Sequence, residues 1–327
     1  MKTKKLLVTG GAGFIGSHFV RLCIGHGYKI VIADKLTYAG DLTRLRDIRS
    51  KFKFYKVDIR NRLKIEKILI TEKPEIVVNF ASQTHVDRSI KYVCEFLETN
   101  ILGTQALLDI SRKYRIGRFI QISTDEVYGE IKNGSFSEDS FLKPSSPYAA
   151  SKAAADLLIG AYVRTYKFPA IIVRCCNNYG PWQYPEKFIP LSVLKIIKNE
   201  KIPVYGRGRN IREWLYVVDC AEGILDVVEK GKIGEIYNLG SGQKEQNIKI
   251  AKMITRILKK GNEYIGFVKD RPGHDIRYSL NSGKVYREIG WKPKIDIKNG
   301  LQKVVYWCLE NKNWLLSKWK NIYWLYE

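Results

Sequence analysis

The stretch Leu6-Leu7-Val8-Thr9-Gly10-Gly11-Ala12-Gly13-Phe14-Ile15-Gly16 decides the fold. A short apolar run reads as a strand, spaced glycines read as a tight turn, and Phe14 to His26 has helical spacing. The first glycines permit the turn. Gly13 lets backbone approach an anionic ligand, and Gly16 lets the new helix pack close to the sheet. The free N–H groups at that helix start favour a diphosphate. Tyr28–Ala33 is a second apolar run, and Asp34 closes it 18 residues beyond Gly16. An acid there hydrogen-bonds ribose hydroxyls and repels a 2′-phosphate. The segment therefore reads as a dinucleotide turn, NAD before NADP, with Lys35 tempering the acid.

Outward from this turn the two periods alternate. Strand-like runs recur at 52–57, 76–80, 119–122 and 170–173, with helical stretches at 63–71, 93–114 and 149–166 between them. Near-continuous apolar strands separated by helices predict a parallel sheet covered on both faces. Past Pro181 the pattern loosens, punctuated by Pro185, Pro190, Pro203 and the turn Gly206-Arg207-Gly208; one more strand is expected over 234–239. The fold class expected is α/β, a Rossmann-like doubly wound parallel sheet with a smaller C-terminal substrate-binding lobe. Residues 1–180 form the first unit, with returns near 217–242, and 181–327 form most of the second.

Composition agrees with a globular enzyme-sized chain. Of 327 residues, 45% are hydrophobic and 27% charged, enough to bury a sizeable core. No run of eighteen apolar residues exists, so no membrane-spanning helix is expected, and the apolar start is too short for a signal segment. The six cysteines form no C-x-x-C pair, which argues against zinc, a redox motif or a disulfide scaffold and for reduced thiols in a cytoplasm. The net charge of +23 comes from scattered lysines without a basic block. It reads as solvated surface that also attracts anionic small molecules, not as a nucleic-acid site.

Tyr148-Ala149-Ala150-Ser151-Lys152 places a phenol and an ammonium on one helix face. A neighbouring cation lowers a phenol's pKa and prepares Tyr148 to take a hydroxyl proton as a hydride departs. Ser123-Thr124-Asp125-Glu126-Val127-Tyr128-Gly129 follows the 119–122 strand. Strand carboxyl ends face the ligand crevice in such sheets. Thr124 can hold a substrate hydroxyl. Burial and mutual repulsion of Asp125 and Glu126 are expected to raise one pKa and leave the other carboxyl ionised, giving an acid and a base.

The motifs TGGAGFIG, DKLTYAG, HVDRSI, STDEVYG, YAASK, NNYGPWQYPEKFIP, NIREWLYV and RPGHDIRY together resemble the nucleotide-sugar 4,6-dehydratases, extended members of the short-chain dehydrogenases/reductases, over about residues 5–310. The first and fifth motifs are general to the superfamily; the acid pair, NNYGP, PEK and RPGHD are narrower. The resemblance implies oxidation at C4 with Tyr148 as base and NAD taking the hydride. Glu126 then removes the C5 proton, Asp125 protonates the departing C6 hydroxyl, and the hydride returns to C6. Thr124 would hold the C4 oxygen, and Lys152 completes the catalytic set.

It also carries cofactor contacts onto Gly10, Gly13, Phe14, Ile15, Gly16, Asp34, Lys35 and Thr37. Asp58, Ile59, Ala81, Thr99, Tyr148, Lys152 and Asn178 complete that set. Substrate contacts fall on Thr84, Thr124, Asn177, Lys187, Pro203, Tyr205, Arg212, Asn247, Arg271 and His274. Arg and Lys match phosphate oxygens, Asn can read a base edge, and Pro203 with Tyr205 can flank a pyrimidine. The implied substrate is a nucleoside-diphosphate glucose, dTDP-glucose ahead of UDP-glucose, and the implied assembly is a homodimer through the 93–114 and 149–166 helices. No metal is expected. Rivals are a 4-epimerase or decarboxylase of the same fold, against which the acid pair argues, and a basic nucleic-acid-binding relative.

Three features depart from the family pattern. Gln83 replaces a usual Glu before His85-Val86-Asp87-Arg88. Cys175-Cys176 precede Asn177 as expected buried strand residues. The aromatic tail from Trp314 to Tyr326 matches poorly and is expected to pack on the body. His18 and His26 read as ordinary residues of the first helix.

Overall fold

A computed structural model describes residues 4–320. The chain begins with β1 (Lys5–Thr9), α1 (Phe14–Gly25), β2 (Lys29–Asp34), β3 (Phe52–Lys56), α2 (Arg62–Glu72) and β4 (Ile76–Asn79). Next come α3 (Val86–Lys91), α4 (Val93–Phe96), α5 (Thr104–Lys113), β5 (Arg118–Thr124), α6 (Pro147–Tyr166) and β6 (Ala170–Cys175). Then follow β7 (Asn177–Tyr179), α7 (Phe188–Ile197), β8 (Ile202–Tyr205), β9 (Ile211–Tyr216), α8 (Val217–Lys230) and β10 (Ile236–Leu239). The last elements are β11 (Lys244–Gln246), α9 (Asn247–Ile257), β12 (Ile265–Val268), α10 (Gly283–Ile289), α11 (Ile297–Glu310) and α12 (Lys312–Trp319).

Seven strands form one sheet in the order β10-β6-β5-β4-β1-β2-β3, parallel at every pairing. Strand order reverses between β1 and β4, so their carboxyl ends flank a crevice. Alternation sends successive residues to opposite cores. Leu6 and Val8 join one cluster with Phe19, Ile120 and Val173, while Leu7 joins the other with Val31, Phe119 and Ile172. β10 returns from the C-terminal half to the sheet edge, and α8 lies against α1.

A third core, with Val193, Trp214, Ile250 and Val304 at its centre, sits under two small sheets. One is β11-β9-β7, antiparallel at β11–β9; the other pairs β12 with β8 in parallel. These strands lie where the sequence shows only proline punctuation. Four of them are three or four residues long and mostly half-buried, too short to carry a clear period; β9, six residues long, is buried almost throughout but mixes Arg212 and Glu213 into its apolar run.

The helix expected over 93–114 is broken. A π-helical segment, Leu97–Gly103, separates α4 from α5. It turns Asn100 inward, where its Oδ1 accepts from the Ser82 hydroxyl and the Gln83 N–H, and its Nδ2 donates to Ser151 Oγ at 2.8 Å. The helical period there hides one extra residue per turn. His26 is the C-cap that follows α1. The aromatic tail packs on the body as far as it is described: α12 lies on α7, and Trp314 meets Trp182 and Trp307. Residues 321–327 lie outside the described residues.

Candidate active site

At the end of β1 the chain turns through Gly10, whose φ is +69°. A Cβ there would meet Ala81 N at 2.6 Å, and one on Gly16 would meet Gly10 O at 2.4 Å. Only glycine satisfies both positions. Gly13 caps α1 without a side-chain bond, so the first N–H groups of the helix are left to a ligand. A cavity of about 300 Å³ opens there, lined by Gly10, Gly13, Phe14, Ile15 and Gly16 on one side and by Thr124, Asp125, Glu126, Tyr148, Lys152 and Asn178 on the other.

The remaining predicted cofactor residues lie around this cavity instead of on its wall. Asp34 ends β2, and its two carboxylate oxygens accept the Ala12 N–H at 2.9 Å and the Leu36 N–H at 2.8 Å. It thus pins the glycine turn to β2. Lys35 pairs with Asp58 at 2.9 Å, joining two predicted positions. Thr37 accepts the Gly40 N–H in the next loop. Ile59 is buried against Gly103, Ala81 packs on Gly10, and Thr99 is half-buried in the π segment.

The acid couple occupies a 3-10 turn, Asp125–Tyr128, directly after β5. Thr124 caps it, its hydroxyl accepting the Glu126 N–H at 3.2 Å and donating to Asp125 Oδ1 at 3.1 Å. Gly129 ends it at φ +79°, where a Cβ would strike Lys143 O. Asp125 is 2% exposed, and its Oδ2 has no hydrogen-bond partner among the described residues. Burial first, then the neighbouring Glu126 charge, pushes Asp125 well above the usual carboxylate range.

Burial also raises Glu126, but Arg271, Arg212 and Lys187 pull it back. This corrects the expected split: both acids rise, and they differ in degree because three cations pull Glu126 back while Arg212 acts on Asp125 against the charges of Glu126 and Glu213. Tyr148, second in α6, is also raised, first by burial and then by the Glu126 charge, while a hydrogen bond with Thr124 acts the other way. Lys152 Nζ donates to Ile122 O at 2.6 Å, and burial lowers its pKa to about 8. The phenol-lowering contact expected from Lys152 is therefore not the one formed here.

A second cavity, of about 610 Å³, adjoins the first. Glu126, Thr84, Asn177 and Lys187 line both. Pro203, Tyr205, Arg212, Asn247, Arg271 and His274 line only the second, so every predicted substrate residue except Thr124 reaches it. Arg212 is 4% exposed; its guanidinium stacks 4.3 Å from the Tyr278 ring and donates to Asp275 O at 2.9 Å. It is no surface ion pair. Arg271 and Tyr205 share Asp87, at 3.4 Å and 3.1 Å, and Lys187 donates to Thr84 O at 3.0 Å. His274 bonds Asp270 at 2.6 Å, yet burial and then the Arg271 charge bring its pKa down to about 4. Asn177 Oδ1 and Asn247 Oδ1 are buried without hydrogen-bond partners among the described residues.

Further lining residues went unread in the sequence. Glu186, Tyr278 and Trp214 lie inside the quoted motifs, where a signal existed. Lys195, Lys201 and Arg44 sit in no motif and reach the cavities only through the fold.

A buried and a half-buried carboxyl beside a Tyr–Lys helix set this site apart from a plain hydride-transfer centre. They place it among the nucleotide-sugar enzymes of the extended short-chain dehydrogenases/reductases. Residues 7–304 match the family model described as GDP-mannose 4,6 dehydratase. A dTDP-glucose 4,6-dehydratase of Neisseria meningitidis serogroup B is 42% identical, with 98% of this chain and 96% of that protein covered. DesIV, the dTDP-glucose 4,6-dehydratase of Streptomyces venezuelae, crystallised with NAD bound, matches at a TM-score of 0.94 and 43% identity over 96% of this chain and 99% of its own. The UDP-glucose 4-epimerase of Thermotoga maritima matches at 0.89 but only 29% identity, over 94% and 99%. The chain belongs to the dTDP-glucose 4,6-dehydratase family.

Proposed function

We propose that this enzyme removes water from dTDP-glucose to give the 4-keto-6-deoxy sugar, with NAD as its cofactor. The carrying observation is the couple Asp125–Glu126, held at the junction of the two cavities beside Tyr148. The groove fits a dinucleotide: side chains on Gly10 or Gly16 would crowd the cradle, and the uncapped start of α1 suits a diphosphate. What NAD supplies when bound is a hydride acceptor for C4 and then a hydride donor for C6.

The chain's own groups move the protons. Thr124 holds the C4 oxygen while Tyr148 Oη, as the phenolate that the positive nicotinamide and the Lys152 ammonium would favour against the burial that raises it, accepts the C4 hydroxyl proton. The new ketone acidifies C5–H. Glu126, the carboxyl that faces Arg212, Arg271 and Lys187, is the easier of the two acids to ionise and takes the C5 proton. Asp125, kept protonated by burial and its neighbour, gives its proton to the C6 hydroxyl, which leaves as water. Glu126 then returns its proton to C5, and the proton that Tyr148 gained replaces the one that Asp125 lost, which restores both groups for the next turnover. The second cavity holds the nucleotide: Lys187, Arg212 and Arg271 take the diphosphate, while Pro203, Tyr205 and Asn247 face the base.

Residues 1–180, with the return at 217–242, would serve the cofactor, and 181–327 the sugar nucleotide. A homodimer is supported by exposed apolar residues on the helices expected to pair: Leu97, Leu102, Leu157 and Tyr166. Cytoplasmic placement is supported by six free cysteines, five of them buried. No helix among the described residues is long and apolar enough to cross a membrane. The basic surplus is assigned to no nucleic-acid partner; retention on a nucleic-acid column at physiological ionic strength would reverse that.

The test is incubation of purified protein with dTDP-glucose and, separately, UDP-glucose, without added NAD. The alkali-sensitive 4-keto chromophore is expected, strongest from dTDP-glucose. A 4-epimer or no keto sugar from either overturns the reading.

A further inference from the structure

Arg44 is fully buried, at 0% exposure, in a 3-10 helical segment, Leu42–Lys51, that no motif marks. Its guanidinium is held by three backbone carbonyls from three separate segments. Nη1 donates to Ala12 O in the glycine turn at 2.9 Å and to Ala39 O at 2.7 Å; Nε donates to Trp182 O at 3.1 Å. Carbonyls carry no net charge, and no carboxylate lies within ion-pair distance of Arg44 among the described residues. Nη2 is buried with no hydrogen-bond acceptor among the described residues. Buried cations are normally matched by an anion or fully hydrogen-bonded. Arg44 also lines the 300 Å³ cavity together with Gly10, Gly13, Phe14 and Gly16.

We infer that Arg44 is a cofactor-binding residue of this chain, aiming its free Nη2 at the diphosphate of the dinucleotide while its other donors fix the glycine turn. The inference rests on the NAD reading above. The planar fork makes Arg suited to both tasks at once, since it can bond carbonyls on one edge and phosphate oxygens on the other. The surroundings keep the fork in place. Trp314 lies 5.5 Å from the guanidinium and contacts Trp182, whose carbonyl receives Nε. Trp314 Nε1 and Lys318 in turn hold Asp41, the N-cap of the same 3-10 segment, at 2.8 Å and 2.7 Å. Burial lowers the pKa of Arg44 only to about 10, so the charge persists at neutral pH.

The test uses the full-length protein and its Arg44→Met and Arg44→Lys variants, freed of nucleotide. Binding of NAD, ADP-ribose and adenosine is measured by calorimetry. Adenosine lacks the diphosphate. Loss of a charge-assisted hydrogen bond predicts NAD and ADP-ribose binding about 10- to 100-fold weaker in Arg44→Met, with adenosine unchanged. Arg44→Lys, which keeps the charge without the fork, should show a smaller loss with the same selectivity, and it serves alone if the Met variant does not fold. Equal weakening of all three ligands overturns the inference, because Arg44 then only supports the turn. Unchanged binding also overturns it. Wild-type protein that binds neither NAD nor ADP-ribose overturns the NAD reading itself, and this inference with it.

Discussion

The groove at the glycine turn and the cavity beneath the small sheets meet at Glu126, yet they hold their polar groups in different ways. In the groove, backbone fixes the geometry, and several groups remain without protein partners: Arg44 Nη2, Asp125 Oδ2 and Asn178 Oδ1. In the second cavity the cations and the tyrosine already have partners. Arg271 and Tyr205 share Asp87, His274 bonds Asp270, and Lys187 bonds Thr84 O. A ligand entering the groove satisfies donors and acceptors that were costly to leave alone. A ligand entering the second cavity exchanges one partner for another at the cations, and meets unpartnered acceptors only at amides such as Asn177 and Asn247. The two regions therefore differ in how their donors are held: Arg44 keeps a free donor edge, whereas Arg271, His274 and Lys187 each already bond a protein oxygen.

The largest effect should come from Glu126, the carboxyl of the acid couple that both regions share. Glu126→Gln is expected to lower turnover by about 10²- to 10⁴-fold while C4 oxidation persists, seen as reduced nicotinamide absorbance in a single turnover. Asp125→Asn should also keep the oxidation and slow water loss by about 10²-fold. If either variant makes product at the wild-type rate, the acid–base division is wrong.

The second cavity offers a graded test. Arg212→Ala removes a buried guanidinium that faces no carboxylate in contact, and should raise KM about 10- to 100-fold with bound NAD unchanged. Arg271→Ala should raise it less, because Asp87 already occupies that guanidinium. Loss of NAD in either variant would erase the distinction between the regions.

Lys152 sharpens the electrostatic side. Its folded pKa, about 8, lies below its unfolded value. Between pH 8 and about 10.5 the unfolded chain therefore binds the extra proton, so stability rises with pH across that window, and the penalty is complete below it. Lys152→Met removes that penalty, on the order of 3 kcal/mol at most, offset by the lost bond to Ile122 O. The variant should be inactive but at least as stable as wild type at pH 7 by urea titration, with the gap shrinking as pH rises. A less stable variant with a pH-independent gap would count against the buried charge.

Smallest is Asp41. Burial opposes ionisation, but Lys318 and Trp314 hold its carboxyl well below the usual range. Its stabilisation is present above about pH 4 and lost as pH falls further. Asp41→Asn should cost about 1 kcal/mol at pH 7 and clearly less at pH 2, where part of the stabilisation is already lost. An equal cost at both pH values would remove α12 from the list of features that steady the Arg44 segment.

Local chemistry explains what was legible. Gly10 and Gly16 are dictated by a single turn, Tyr148 and Lys152 by one helical repeat, and Thr124-Asp125-Glu126 by their place at a strand end. Each needs only neighbours in the chain, so the dinucleotide turn, the parallel sheet and the acid couple could be read from residue order. The degree to which each acid is neutralised could not. It depends on Arg212 and Arg271, some 90 to 150 residues away in sequence, both reaching Glu126, while Asp125 feels Arg212 against two neighbouring carboxylates. The inward turn of Asn100, the stacking of Arg212 on Tyr278, and the burial of Arg44 among carbonyls near 12, 39 and 182 likewise belong to tertiary structure alone. Periodicity encodes which face is buried; only packing decides which charges share that burial, because desolvation and Coulomb interactions depend on distance in space and not on distance along the chain.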